Sequence, residues 1–101
     1  MDKTDAINIA RKFTSIIKNN YDCKQAFLFG SYAKGTNREE SDIDIAVILN
    51  EFENPIEMQL ELMRIRRKID SRIEPHPFRE KDFNPSNPVA YEILKYGQRL
   101  I

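Results

Sequence analysis

Two aspartates separated by one residue, Asp42 and Asp44, begin an apolar run that continues to Leu49. On a β-strand, residues two apart point to the same face, so the two carboxylates share a face and the aliphatic residues that alternate with them face a core. A fold gains nothing from two adjacent like charges, because each raises the cost of ionising the other. A divalent cation with oxygen ligands removes that cost, so the pair predicts a site for one or two such cations.

A glycine-bearing turn comes shortly before the acid pair. The apolar run 26–29 ends at Gly30 and Ser31, and a helical turn over residues 32–34 closed by Gly35 is expected. Such a turn leaves backbone N–H groups and the serine hydroxyl pointing outward as donors for an anion. Phosphate donors beside a metal-binding acid pair are what nucleotidyl transfer needs, because the metal neutralises the triphosphate and clamps the leaving pyrophosphate.

The pattern Gly30-Ser31-x-Ala33-x-Gly35, followed by Ser41-Asp42-x-Asp44, resembles the signature of the polymerase-β nucleotidyltransferase superfamily. In so short a chain it is most similar to the minimal nucleotidyltransferases (MNT proteins), the antitoxin partners of HEPN-domain toxins. The resemblance covers roughly residues 26–78 and the signature residues 30–44. The plain alternative is a strand–turn–strand with solvated acids, but the two motifs in this order between two apolar runs favour the family.

The resemblance implies a fold and a set of site residues. The fold is α/β (α+β): a small mixed sheet with helices packed mainly on one face, in a single domain over residues 1–101. Gly30 and Ser31 are expected to bind the β- and γ-phosphates of ATP, and Asp42 and Asp44 two Mg²⁺ ions. Further candidates for nucleotide binding are Lys34 and Ser41. At Lys34 the family often has arginine, so the charge is kept without the bidentate fork.

A third carboxylate of the family lies on a strand after the second long helix, facing the acid pair. Glu74 is the only acid in the corresponding segment, so the resemblance assigns that role to it, as a general base or a metal ligand. Most members have aspartate there, and a solvated edge glutamate is the alternative. His76 shares the face of Glu74 and is either a surface histidine between prolines or a proton carrier of the site.

The activity implied by the resemblance is transfer of AMP from ATP, with Mg²⁺, to a tyrosine hydroxyl of a partner HEPN RNase toxin, which inactivates the toxin. Larger superfamily members carry extra domains that hold their acceptor, so here a partner protein is expected to present it. One alternative is an antitoxin that neutralises its partner by binding alone. Another is a nucleotidyltransferase with a small-molecule acceptor.

The composition is consistent with a nucleotidyltransferase and bears mainly on partners and location. The 101 residues have equal numbers of basic and acidic side chains, so no non-specific nucleic-acid binding is expected. The single cysteine, Cys23, cannot form an internal disulfide, and no signal peptide or long apolar run is visible, which together predict a cytoplasmic protein with no membrane contact.

Periodicity predicts the elements that position the motifs. A helix capped by Thr4 or Asp5 runs to Asn20 and a second begins at Asn54-Pro55 and runs to about Asp70. The remaining predicted elements are strands over residues 24–29, 42–49 and 71–78, a helix over 88–96 and a short strand over 98–101.

The second helix has two apolar stripes on nearly opposite faces: Ile56, Leu60 and Met63 on one, and Met58, Leu62, Ile65 and Ile69 on the other. One stripe must pack on the sheet; the other packs under a loop or binds another protein.

Overall fold

Four α-helices and a four-stranded mixed sheet make up the protein in a computed structural model that describes residues 1–101. The predicted α+β class is therefore confirmed. None of the helices combines the length and apolarity needed to span a membrane. In chain order the elements are α1 (Lys3–Asn20), β1 (Cys23–Phe29), α2 (Ser31–Lys34), β2 (Ile43–Leu49), α3 (Pro55–Arg66), β3 (Ile73–Arg79), a 3₁₀ turn (Glu80–Asp82), α4 (Pro88–Tyr96) and β4 (Gln98–Arg99).

The sheet brings the chemically interesting segments to one end. Its strand order is β3-β2-β1-β4, with β1 antiparallel to both β2 and β4 and with β2 parallel to β3. A parallel pair needs a crossover connection, and α3 provides it. Because of these directions, the end of β1 and the beginnings of β2 and β3 lie at the same end of the sheet.

The larger hydrophobic core lies between the sheet and the two long helices, α1 and α3. The aliphatic residues of β2 that alternate with the acids belong to it, as predicted. Its buried members are Ala6, Ala10, Phe13, Ile17, Leu28, Tyr32, Ile43, Ile45, Val47, Leu49, Phe52, Leu62 and Ile73. Packing in this core fixes which face of β2 is buried against α1 and α3, so the face that carries the acids points the other way.

The opposite face of the sheet is also covered, by α4. Ala46 and Ile48, which follow Asp44 on its own face of β2, are fully buried against Ala90 and Ile93 of α4. Phe27 and Phe83 complete this smaller cluster. Core burial on the acid face begins two residues after Asp44, so only the beginning of β2 is left open for chemistry.

Two helix boundaries differ from the predictions. Helix α1 is capped by Asp2, whose carboxylate accepts a hydrogen bond from Asp5 N at 2.9 Å, and not by Thr4 or Asp5. Helix α3 begins at Asn54-Pro55 as predicted but ends at Arg66. The next three backbone N–H groups, those of residues 67–69, bond three residues back, so the chain tightens into 3₁₀-type turns before reaching position 70.

The two apolar stripes of α3 have different surroundings. Leu62 is buried, and Met58, Ile65 and Ile69 pack with it against the larger core. On the other stripe, Ile56 is 71% exposed and Leu60 50% exposed. The unpacked stripe is therefore a surface feature of the molecule.

Side chains of α3 also contact the outer edge of β3. Gln59 Nε2 donates a hydrogen bond to the carbonyl of Pro75 at 3.1 Å, and Arg66 Nη1 donates to the carbonyl of Ile73 at 2.8 Å. These bonds hold β3 as the edge strand that its two prolines predicted.

Candidate active site

The turn after β1 and the acid pair meet at Gly30 and Asp44. Gly30 has φ of +74° and ψ of −149°, a conformation that side chains rarely adopt. A Cβ added to Gly30 would lie 2.3 Å from Asp44 Oδ2, closer than any real contact. Only glycine lets the backbone approach the carboxylate in this way, so the two motifs form one site.

Helix α2 follows directly from that glycine. Gly30 is its N-cap, Ser31 is its first residue, and Gly35 ends it in the left-handed conformation with φ of +76°. The predicted helical turn closed by Gly35 is confirmed. The first N–H groups of any helix lack an intrahelical acceptor, so those of α2 are left for another partner.

The two aspartates differ in exposure. Asp42 is exposed and immediately precedes β2, whereas the Asp44 side chain lies within the strand and is 26% exposed. Ser41, just before them, accepts a hydrogen bond from Arg38 N through its hydroxyl at 2.7 Å. Its own N–H donates to Arg38 O at 3.1 Å. Ser41 thus closes the loop that leads to Asp42, and its hydroxyl is already bonded within that loop.

Glu74 lies on β3 opposite Asp44. The two residues are register partners in the parallel β2–β3 ladder, so their side chains share a face of the sheet. Glu74 is half-buried and its Oε2 lies 3.8 Å from Arg66 Nη1. The strand prediction thus placed Glu74 beside the acid pair, but the side chain pairs with a cation of α3.

His76 makes the most direct contact with the acid pair. Its Nε2 lies 3.1 Å from Asp44 Oδ1, and its ring packs edge-on against Phe29 with ring centroids 4.9 Å apart. The sequence leaves two interpretations of His76 open, a surface histidine between prolines and a proton carrier of the site. The structure brings His76 into the site because its register partner on β2 is Ala46, two residues after Asp44 on the same face.

Lys34 is directed toward α4. Its ammonium pairs with the Glu92 carboxylate and lies 5.3 Å from the centre of the Tyr96 ring. Glu92 is far from Lys34 in sequence, so the spacing of the motif gave no signal for this pair. In the structure Lys34 links α2 to α4.

The donor set of the site suits magnesium. No group of three or more His, Cys, Asp or Glu side chains is arranged to hold a metal ion. Mg²⁺, however, is usually bound through one or two carboxylates together with the phosphates of the substrate, and it keeps some of its waters. The carboxylate oxygens of Asp42 and Asp44, the second of which lies against the Gly30 turn, are donors of the kind that such an ion takes.

A cleft of about 320 Å³ adjoins His76 on the outer side of β3. Its walls come from the beginnings of α3 and α4 and from β3. The lining residues are Pro55, Ile56, Gln59, His76, Pro77, Phe78, Asn87 and Val89. His76 therefore borders this cleft and also contacts Asp44.

Comparisons with known proteins give the family of the chain. Residues 11–101 match the family model described as Polymerase beta, Nucleotidyltransferase. A Methanocaldococcus jannaschii protein named "Putative protein adenylyltransferase MJ1379" is 47% identical over 62 residues, which are 60% of this chain and 62% of that protein. The chain thus matches less than two thirds of the length of that relative.

Solved structures show the same fold at low identity. The crystal structure of a toxin–antitoxin with AMP-PNP matches with a TM-score of 0.68 and 22% identity, over 91% of this chain and 72% of the other. The crystal structure of the toxin–antitoxin MntA-HepT matches with a TM-score of 0.61 and 18% identity, over 92% of this chain and 69% of the other. These two likenesses show a shared fold.

Proposed function

Because this chain belongs to the polymerase-β nucleotidyltransferase family and is a nucleotidyltransferase, we propose that it transfers AMP from ATP to a tyrosine hydroxyl of a partner HEPN RNase toxin and so inactivates it. The observation that carries the proposal is the contact of Gly30 with the Asp44 carboxylate, because it brings the turn that we expect to bind phosphate next to the acid pair that we expect to bind metal. A relative named as a protein adenylyltransferase and a fold neighbour solved with AMP-PNP support the choice of a protein acceptor and ATP.

The triphosphate binds at the beginning of α2. Backbone N–H groups from Gly30 onward and the Ser31 hydroxyl hold the β- and γ-phosphates. Asp42 and Asp44 would hold two Mg²⁺ ions, and such ions would neutralise charge at the phosphates and at the leaving pyrophosphate. Ser41 fixes the loop before Asp42 through its bond to Arg38, and Lys34 contributes to the phosphates by exchanging Glu92 for the nucleotide.

The strand order supports one direction of approach for the acceptor. Gly30 follows β1, Asp44 lies on the central β2, and Glu74 lies on β3. In phosphoryl transfer the attacking and leaving oxygens are roughly in line on opposite sides of phosphorus. With the pyrophosphate on the β1 side, the acceptor hydroxyl approaches from the β3 side. There the Glu74 carboxylate takes up its proton as general base.

The surface around β3 suits a protein acceptor. Ile56 and Leu60 form an exposed apolar stripe on α3, and Ile56 also lines the cleft beside His76. A contiguous apolar patch that adjoins a site is typical of a protein interface. We assign this stripe to the toxin, whose tyrosine then enters the site along β3.

The unpaired Cys23 agrees with a reducing, cytoplasmic location.

Intact mass spectrometry of the co-purified partner, before and after incubation with ATP and Mg²⁺, tests the proposal. The expected result is a gain of one or more AMP units on the partner, mapped to a tyrosine, and no gain with the Asp42→Asn, Asp44→Asn variant. A stable partner whose mass never changes with any nucleotide would instead support neutralisation by binding alone. ATP turnover on a small hydroxylated molecule without a partner would support the third function considered from the sequence.

A further inference from the structure

We propose that His76 is a positioning residue, which fixes the carboxylate of Asp44 in the orientation that binds the metal ion. This inference rests on the proposed function, because it concerns the metal–nucleotide complex that the transfer requires. It assigns a role to a residue outside both sequence motifs.

Both oxygens of the Asp44 carboxylate are confined. Oδ1 lies 3.1 Å from His76 Nε2, and Oδ2 lies against the Cα of Gly30, where even a methyl group has no room. The hydrogen bond comes from β3 and the steric contact from the end of β1, so Asp44 on β2 is held between the two neighbouring strands. A carboxylate held on both sides has little freedom to rotate.

His76 is itself held in place. Its ring packs edge-on against Phe29, the register partner of Asp44 on β1, with centroids 4.9 Å apart. Ala46, opposite His76 on β2, carries only a methyl group, so the two rings can meet across the central strand. The flanking Pro75 and Pro77 fix their own φ angles and stiffen the backbone on either side.

The hydrogen bond between His76 and Asp44 determines which nitrogen of the imidazole carries a proton. A carboxylate only accepts hydrogen bonds, so the bond requires a proton on Nε2. With one lone pair of Oδ1 used in this way, the carboxylate keeps its remaining lone pairs for a cation. Partners that hydrogen-bond to metal ligands typically change metal affinity or activity by about 10–100-fold when they are removed.

Two substitutions separate this role from simple packing. His76→Phe keeps an aromatic ring against Phe29 but removes the donor. His76→Gln removes the ring but can place its Nε2 donor near the position of the imidazole nitrogen. Phe78→Leu is a control on the same strand and face, because Phe78 packs against Phe83 and not against Asp44.

The primary measurement is Mn²⁺ affinity by electron paramagnetic resonance in the presence of AMP-PNP, which needs no turnover. We expect His76→Phe to weaken Mn²⁺ binding by about 10–100-fold. We expect His76→Gln to restore affinity to within a few-fold of the original, and Phe78→Leu to leave it unchanged. Thermal unfolding of each variant shows which of them is folded under the conditions of the assay.

The opposite pattern would overturn the inference. Affinity that survives in His76→Phe but falls in His76→Gln would mean that the ring matters only for packing. Equal affinity in all variants would mean that Asp44 needs no partner. If the full protein transfers nothing to its partner and His76→Phe still loses Mn²⁺, the proposed function fails while the positioning role stands.

Discussion

Asp44 and Glu74 lie directly opposite each other on parallel strands, yet Glu74 pairs with Arg66 of α3. Arg66 is held in turn by its hydrogen bond to the carbonyl of Ile73. Glu74 is therefore tied to the edge of the sheet and not to the metal-binding pair. We therefore keep Glu74 as the proposed general base for the acceptor hydroxyl and not as a proposed metal ligand.

Glu74→Gln should accordingly slow transfer while metal binding stays nearly intact. A general base contributes about 10²–10⁴-fold to a rate, and we expect a loss in that range. Single-turnover transfer with the partner protein gives the rate, and Mn²⁺ titration with AMP-PNP gives the affinity. If affinity falls as far as the rate, Glu74 is a metal ligand.

Asp42→Asn and Asp44→Asn should each reduce transfer by more than about 100-fold, the largest effect usual for losing a residue that only hydrogen-bonds to a metal ligand. Neither change should unfold the protein, because Asp42 is exposed and an asparagine at position 44 can still accept the hydrogen bond of His76. Rates and thermal unfolding curves of the same preparations check both statements. Retained transfer by the double variant would falsify the metal-dependent mechanism.

Gly30→Ala and Gly35→Ala form a matched pair, since both glycines have positive φ. Around Gly35 nothing lies within 4 Å of an added Cβ, so its substitution should cost only the left-handed conformation, about 1–2 kcal/mol. At Gly30 the Cβ meets Asp44 Oδ2, so we expect a larger loss of stability and also loss of nucleotide–metal binding. Urea unfolding and Mn²⁺ titration measure the two effects. Equal binding by both variants would show that Asp44 moves aside at no cost to the site.

Aspartate at Ile56 and Leu60 should weaken binding of the partner while the isolated protein keeps its stability, because both side chains are exposed. Central apolar anchors of interfaces commonly contribute about 2 kcal/mol or more, so a loss of at least tenfold in affinity is expected. Leu94→Asp is the matched control, since Leu94 is an apolar residue of α4 with a similar exposure of 44% and does not line the cleft beside His76. Calorimetric titration of the partner distinguishes them, and an equal loss from Leu94→Asp would place the interface elsewhere.

The hydrogen bond between Tyr21 and Glu61 should make the free energy of unfolding depend on pH in the alkaline range. Burial and the hydrogen bond to the Glu61 carboxylate raise the pKa of Tyr21 from 10.0 to about 12. Because the folded pKa is the higher one, the contribution is complete below pH 10 and is lost as pH rises toward 12. The pair is largely exposed, so it should contribute no more than about 1 kcal/mol. The free energy of unfolding of the protein, minus that of Tyr21→Phe, should fall across this window. A flat difference would mean that the bond does not form in solution.

Sequence reasoning succeeded where spacing along the chain determines the outcome. Alternation in β2 placed Asp44 opposite the core, and the glycine pattern predicted α2 and its end at Gly35. The start of α3 at Asn54-Pro55 was also predicted correctly, because it depends on those two neighbouring residues. Each of these features depends on backbone geometry over a few residues, which the amino-acid types determine directly.

Contacts between distant segments could not be read in this way. The pairing of Lys34 with Glu92 depends on how α4 lies on the sheet, and the contact of His76 with Asp44 depends on the register of two parallel strands. The packing of α4 on the acid face, where Ala46 is buried, likewise could not be predicted from the order of residues along the chain. These relationships are properties of tertiary packing.

The outer edge of β3 has a consequence for assembly. Pro75 and Pro77 have no backbone N–H to offer an incoming strand, and the carbonyls of Ile73 and Pro75 already accept bonds from α3 side chains. An edge that lacks these two N–H donors, and whose carbonyls at Ile73 and Pro75 are already bonded, is a poor template for strand addition. The β3 edge therefore disfavours the joining of two sheets edge to edge, and with it the growth of intermolecular β-structure from this side of the protein.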